Sequence, residues 1–251
     1  MLDIAIEAAN RAGPILEGYF ERTTLEREEK DDRSFVTQAD REAEAVIIET
    51  IQKAHPKHGI VSEESGESGA HKEYVWVIDP LDGTGNFVNG IPIFATSIAL
   101  LQDGEAVIGV VYNPVTNALY QAERGRGARY NGKPILVSDQ EAKDGIVSFG
   151  PGKGEKERLS ALFSAANNFF KTKRYLGSAA LELGFLARGG TEGFLCLGLN
   201  TWDYAAGALI VAEAKGCITT LDEKPWNMEE NYFAASNGKA HGALIALAGV
   251  A

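Results

Sequence analysis

Hydrophobic spacing changes twice along this chain, and that change constrains its fold more than any other feature. Leu2, Ile6, Ala9, Gly13, Leu16 and Phe20 recur at helical spacing, which predicts an amphipathic helix over residues 2–22. Pro14 falls inside it and is expected to kink it or shift its start. A second helical pattern runs from Val36 to Ala54. From Gly59 to Ala122 the period shortens to β-rich runs: Gly59–Val61, Tyr74–Ile78, Ile93–Leu101, Ala106–Tyr112 and Ala118–Ala122. Asp103-Gly104, Asn113-Pro114 and Asn131-Gly132 punctuate them, and the pattern predicts a largely antiparallel meander. After Gly145 the elements alternate. Strands are expected at Ile146–Phe149, Lys173–Leu176, Gly193–Leu197, Cys217–Leu221 and Phe233–Ala235, and helices at Glu155–Lys171, Ser178–Arg188, Asp203–Lys215 and from Lys239. The expected class is α+β with layered packing. The shift in pattern places a subdomain boundary near residues 140–150, dividing residues 1–144 from 145–251.

Composition excludes several classes of function. Lys plus Arg number 24 against 35 Asp plus Glu, a formal charge of −11, so non-specific binding to a phosphate backbone is not expected. An anionic substrate would therefore need cations or oriented backbone dipoles at its site. Cys196 and Cys217 lie in apolar stretches and read as buried thiols in a reducing compartment. His55, His58, His71 and His241 form no ligand-spaced cluster, which argues against zinc. Met1–Gly13 has no apolar signal core, and no run approaches the ~18 apolar residues of a membrane helix. The chain reads as soluble and cytoplasmic. Gly150-Pro-Gly-Lys-Gly154 lacks the Gly-Lys-Ser/Thr ending of a phosphate loop and reads as a helix–strand connection.

The chemistry concentrates in Asp79-Pro80-Leu81-Asp82-Gly83-Thr84, which follows the buried run Tyr74-Val-Trp-Val-Ile78. Two carboxylates at the end of a buried strand raise one another's pKa and cost stability. Divalent cations remove that cost, and Mg²⁺ prefers such oxygen ligands. Gly83, Thr84 and Gly85 would open a short helix or turn and offer backbone N–H groups to a phosphate. Three other segments gain meaning beside it: Thr37-Gln38-Ala39-Asp40, Ser62-Glu63-Glu64-Ser65 and Thr201-Trp202-Asp203. Read singly, Thr37, Asp40 and Asp203 are helix caps, and Glu63-Glu64 is an acidic loop.

Taken together in this order, Thr37–Asp40, Glu63-Glu64, Asp79–Phe87 and Trp202–Gly207 resemble the inositol monophosphatase family of metal-dependent, lithium-sensitive phosphomonoesterases. The resemblance implies a layered α/β/α/β/α sandwich like that of the sugar phosphatases, and usually a homodimer. It implies two or three Mg²⁺ ions. Glu63, Asp79 and the Leu81 carbonyl would hold the first, and Asp79, Asp82 and Asp203 the second; Glu63 would border a third. Thr84, hydrogen-bonded to Asp40, would orient and help deprotonate the attacking water, and the Gly83 and Thr84 amides would hold phosphate oxygens. Asp82, Asp203, Gly177, Ser178, Ala179 and Cys196 would line the substrate. Cys196 stands where inositol-specific members often place Glu. Lys30–Ser34 matches the family's mobile loop loosely. The implied substrate is inositol 1-phosphate or a related sugar or polyol phosphate. Fructose 1,6-bisphosphate, histidinol phosphate and 3′-phosphoadenosine 5′-phosphate are the alternatives within the same chemistry. A non-catalytic part in a transcription complex is the alternative of a different class.

Overall fold

The computed structural model describes residues 1–20, 27–29, 35–68 and 72–250, with residues 27–29 and 35–37 described by their backbone alone. Five layers stack in the order helix, sheet, helix, sheet, helix. The first layer is α1 (Leu2–Phe20) and α2 (Gln38–Ala54). Their apolar stripes, Ala5, Ala8, Ala12 and Leu16 on one and Ala39, Ala43, Ile47 and Ile51 on the other, are fully buried. They cover one face of an eight-stranded sheet through Trp76, Ile78, Ile98, Leu100 and Val110. Helix α1 runs unbroken across Pro14.

That sheet has the order β10-β9-β8-β7-β6-β5-β3-β4. Its strands are β3 (Gly59–Ser62), β4 (Gly66–Ser68), β5 (Tyr74–Asp82), β6 (Ala95–Gln102), β7 (Glu105–Asn113), β8 (Ala118–Glu123), β9 (Ala128–Tyr130) and β10 (Lys133–Ile135). The meander from β5 to β10 is antiparallel throughout, as its turn residues predict. Asp103-Gly104 and Asn131-Gly132 both take positive φ at the two turn positions. Strand β3 departs from the expected pattern and pairs parallel to β5.

The middle layer is α5 (Ala179–Ala187) and α6 (Thr201–Glu213), buried between the two sheets and mostly apolar, apart from Glu182 on α5 and the polar residues at the ends of α6. Small residues let α6 approach the sheet closely: a Cβ on Gly109 of β7 would sit 2.6 Å from the Ala206 carbonyl oxygen. Beyond lies a five-stranded sheet of order β12-β11-β13-β15-β14. Its strands are β11 (Ile146–Pro151), β12 (Thr172–Arg174), β13 (Gly193–Leu197), β14 (Cys217–Thr220) and β15 (Tyr232–Ser236). The outer layer is α4 (Lys156–Ala165) and α7 (His241–Ala248), packed on this sheet through Leu162, Leu244 and Leu247. The expected layered sandwich is the observed architecture.

Several boundaries differ from the sequence pattern for local reasons. Val36 and Thr37 belong to a short strand β2 (Phe35–Thr37), antiparallel to β1 (Arg27–Glu29), and α2 starts only at Gln38. Helix α4 stops at Ala165 and tightens into a 3₁₀ turn over Ala166–Asn168, where two asparagines disfavour further helix. Strand β5 continues past Ile78 to Asp82, because its ladder with β6 skips between Asp79 and Asp82. Pro80, which has no N–H to donate, falls inside that irregularity.

Candidate active site

The irregularity that accommodates Pro80 also builds the site. The Asp79 carboxylate accepts the Leu81 N–H at 2.9 Å, and the Thr96 hydroxyl of β6 holds the Pro80 carbonyl at 3.0 Å. Gly83 then turns the chain with φ +90° into the short helix α3 (Thr84–Val88). A Cβ there would lie 2.9 Å from the Ile93 carbonyl and 3.1 Å from that of Gly177, so only glycine fits. The result is a strand end that places Asp79 and Asp82 side by side, both buried.

Asp203 comes to them from the first turn of α6. It is not the N-cap: Asn200 holds that position, and Asp203 reaches back to accept the Asn200 N–H at 2.8 Å. Ser97, paired with Asp79 across the ladder, ties this turn to the sheet through its bond to the Trp202 carbonyl at 3.0 Å. Asp79, Asp82 and Asp203 each bring a carboxylate oxygen within 4.8 Å of the others. Burial, reinforced by Glu63, Asp82 and Asp203, holds Asp79 well above the usual carboxylate range. Burial pushes Asp82 up to about 6, against the opposing pull of its hydrogen bonds from Ser178 and Ala180. Asp203 is also raised, by burial first and by Asp82 next. Three oxygen donors crowded at this cost form the ligand set that a hard divalent cation would relieve. The residues therefore fit the ion that the sequence suggests.

Around the trio, Glu63 follows β3 and is half-buried, its N–H bonded to the Ile78 carbonyl at 3.2 Å. The loop that carries it is held by Glu44 of α2, which accepts both the N–H and the hydroxyl of Ser65 at 3.0 Å. Asp40 is buried in the first turn of α2. The Thr84 hydroxyl donates to the Leu81 carbonyl at 3.0 Å. Thr37 is described by its backbone alone, and Lys30–Ser34 lies outside the described residues.

Ser178 sits at the N-cap of α5, yet its hydroxyl is not spent as a cap. It donates to Asp82 Oδ2 at 2.6 Å, and the Ala180 N–H donates to the same oxygen at 2.8 Å. Gly177 and Ala179 flank that contact. Cys196, on β13, is fully buried, and its thiol donates to the Asn231 carbonyl at 3.1 Å. Burial raises its pKa. Sequence reasoning missed Asn86, although it lies within the quoted motif. Its Nδ2 donates to the Ile93 and Leu176 carbonyls, each at 2.7 Å, and so ties α3 to the segment before α5. It missed Glu44 entirely, since a Glu on a helix shows no distinguishing pattern.

Known proteins resemble this chain over nearly its whole length. Nus factor SuhB of Escherichia coli is 40% identical over 256 residues, covering 98% of this chain and 94% of that protein. The structure of inositol monophosphatase from Anabaena superposes with a TM-score of 0.88 at 36% identity, covering 98% of this chain and 94% of that one. Extragenic suppressor protein suhB from Bartonella henselae superposes with a TM-score of 0.92 at 35% identity, covering 98% and 97% of the two chains. The family model described as the inositol monophosphatase family matches residues 1–249. A match from end to end, joined by relatives this close, means that the chain belongs to the inositol monophosphatase family.

Proposed function

We propose that the protein hydrolyses a small phosphomonoester in a Mg²⁺-dependent reaction, with inositol 1-phosphate or a related sugar or polyol phosphate as substrate. The observation behind this reading is the trio of buried Asp79, buried Asp82 and half-buried Asp203, whose oxygens lie within 4.8 Å of one another. A fold with no ligand to bind gains nothing from such crowding. Asp79, Asp82 and Asp203 would hold one ion; Glu63, Asp79 and the Leu81 carbonyl would hold another, and Glu63 would border a third. Bound there, Mg²⁺ would lower the pKa of water and offset the charge on the phosphoryl oxygens.

The chain's own groups supply the rest. Thr84 would turn from the Leu81 carbonyl so that its hydroxyl oxygen accepts a proton from the attacking water while its own proton passes to the Asp40 carboxylate. Gly83 and Thr84 would present first-turn amides of α3 to the phosphate, where helix geometry leaves them without intrahelical acceptors. The leaving alcohol would lie toward Gly177–Ala179 and Asp203. Two copies of the chain would associate, as family members usually do.

Phosphate release from inositol 1-phosphate, fructose 1,6-bisphosphate, histidinol phosphate and 3′-phosphoadenosine 5′-phosphate, each in EDTA and in excess Mg²⁺, tests this reading. Mg²⁺-dependent turnover of the polyol phosphate above the others is expected. No release from any of them would refute it. A second reading draws on the name Nus factor SuhB, borne by relatives such as that of Escherichia coli. In it the chain acts as a non-catalytic partner in a transcription complex. A partner retained by Asp82→Asn without metal would favour that role.

A further inference from the structure

Helix α5 buries a run of apolar residues against the core, Ala179, Ala180, Leu181, Leu183 and Gly184, with one acid among them, Glu182. Glu182 is 1% exposed. Its Oε1 accepts the Leu176 N–H at 2.9 Å, whereas its Oε2 is buried with no hydrogen-bond partner among the described residues. A carboxyl group placed this way costs stability, and an apolar side chain of similar size would be cheaper for the fold alone. What Glu182 secures is Leu176. The other backbone polar group of Leu176, its carbonyl, is held by Asn86 Nδ2 at 2.7 Å. Leu176 is thus gripped from α5 on one side and from α3 on the other. Gly177 follows with φ +75°, and Ser178 after it is fully buried with its hydroxyl on Asp82.

We propose that Glu182 is a positioning residue for Asp82, acting through the clamp on Leu176 that sets Ser178 against the Asp82 carboxylate. The role rests on the phosphatase reading above. Glu182 touches neither substrate nor ion. It fixes the two-residue link that brings Ser178 and the Ala180 N–H onto Asp82 Oδ2, and so sets the direction of the oxygen left for the cation.

The test uses the full chain and Mg²⁺ alone, titrated by calorimetry, with the melting temperature in EDTA recorded beside it. Glu182→Ala should weaken Mg²⁺ binding roughly tenfold or more. Glu182→Gln, whose amide oxygen can still accept the Leu176 N–H, should stay within about twofold of wild type. Asn86→Ala should weaken binding in the same way from the other side of the clamp, which keeps the proposal testable should Glu182→Ala fail to fold. Because Glu182 acts through Ser178, the Glu182→Ala, Ser178→Ala double variant should bind within about twofold of the weaker single variant. A lowered melting temperature with unchanged Mg²⁺ affinity in Glu182→Ala would overturn the proposal. So would fully additive losses in the double variant, or Glu182→Gln behaving like Glu182→Ala. A wild-type chain that binds no Mg²⁺ would instead bring down the phosphatase reading, and this role with it.

Discussion

Ser178 and Asp82 stand 96 residues apart in the chain and are joined by a 2.6 Å hydrogen bond, the hydroxyl donating to the carboxylate. That bond lowers the Asp82 pKa against the larger opposing effect of burial, leaving it at about 6. Ser178→Ala should therefore raise it further. A cation must displace any proton held there, so the variant should bind Mg²⁺ more weakly than wild type near neutral pH. The deficit should narrow as pH rises and both proteins lose the proton. Mg²⁺ titrations at several pH values check this, and a deficit independent of pH would contradict it.

The trio also makes a prediction about the metal-free protein. An acid whose pKa is higher folded than unfolded binds more protons in the native state, so stability falls as pH rises through that interval. For Asp82 the interval runs from the ordinary 3.8 to about 6, and Asp79, held well above its ordinary value, contributes with the same sign. His58 and His241, lowered by burial, act with the opposite sign. The informative comparison is thus wild type against Asp79→Asn. In EDTA the variant should melt at the higher temperature, by a margin that widens with pH. It should also lose the stabilisation that Mg²⁺ gives wild type. Scanning fluorimetry across the pH range decides it; a variant less stable than wild type in EDTA at high pH would be the contrary result.

Gly83→Ala should destabilise the chain by at least about 1–2 kcal/mol, the usual cost of a left-handed backbone for a residue with a Cβ. The new Cβ would also press on the Ile93 carbonyl, 2.9 Å away, and on Gly177. Because those contacts join α3 to the segment before α5, Mg²⁺ affinity should fall along with stability. Urea unfolding and metal titration measure the two effects, and a variant matching wild type in both would show the turn to be tolerant.

The acidic motif was legible because Asp79, Pro80, Asp82 and Gly83 are contiguous and follow a strand whose aromatic and β-branched residues announce it. Asp203 was legible through its neighbour Trp202 and the small residues after it. The meander was legible from Asp103-Gly104 and Asn131-Gly132, whose turn geometry is local. What stayed hidden was long-range. Nothing near Glu182 in the chain points to Asp82, and although the family resemblance sets Ser178 beside Asp82 at the substrate, the hydrogen bond that joins them shows only in the fold. The start of α2 was misread because Val36 continues the helical period while pairing in β2 with β1. Cross-strand pairing overrode the local pattern there.

Thr84 offers the sharpest separation of chemistry from binding. Its hydroxyl donates to the Leu81 carbonyl at 3.0 Å, and that carbonyl is one of the oxygens proposed to hold an ion. If the hydroxyl serves the attacking water, Thr84→Ala should lower kcat by roughly 10²–10⁴, the range for losing acid–base assistance. KM should change little. Thr84→Ser, which keeps the hydroxyl, should recover most of the rate. Mg²⁺ affinity should hold or tighten in Thr84→Ala, because the Leu81 carbonyl no longer shares its lone pairs with a competing donor. Steady-state kinetics and calorimetry on the two variants test both halves. A loss of Mg²⁺ affinity in step with the loss of rate would assign Thr84 to holding the ion, not to activating water.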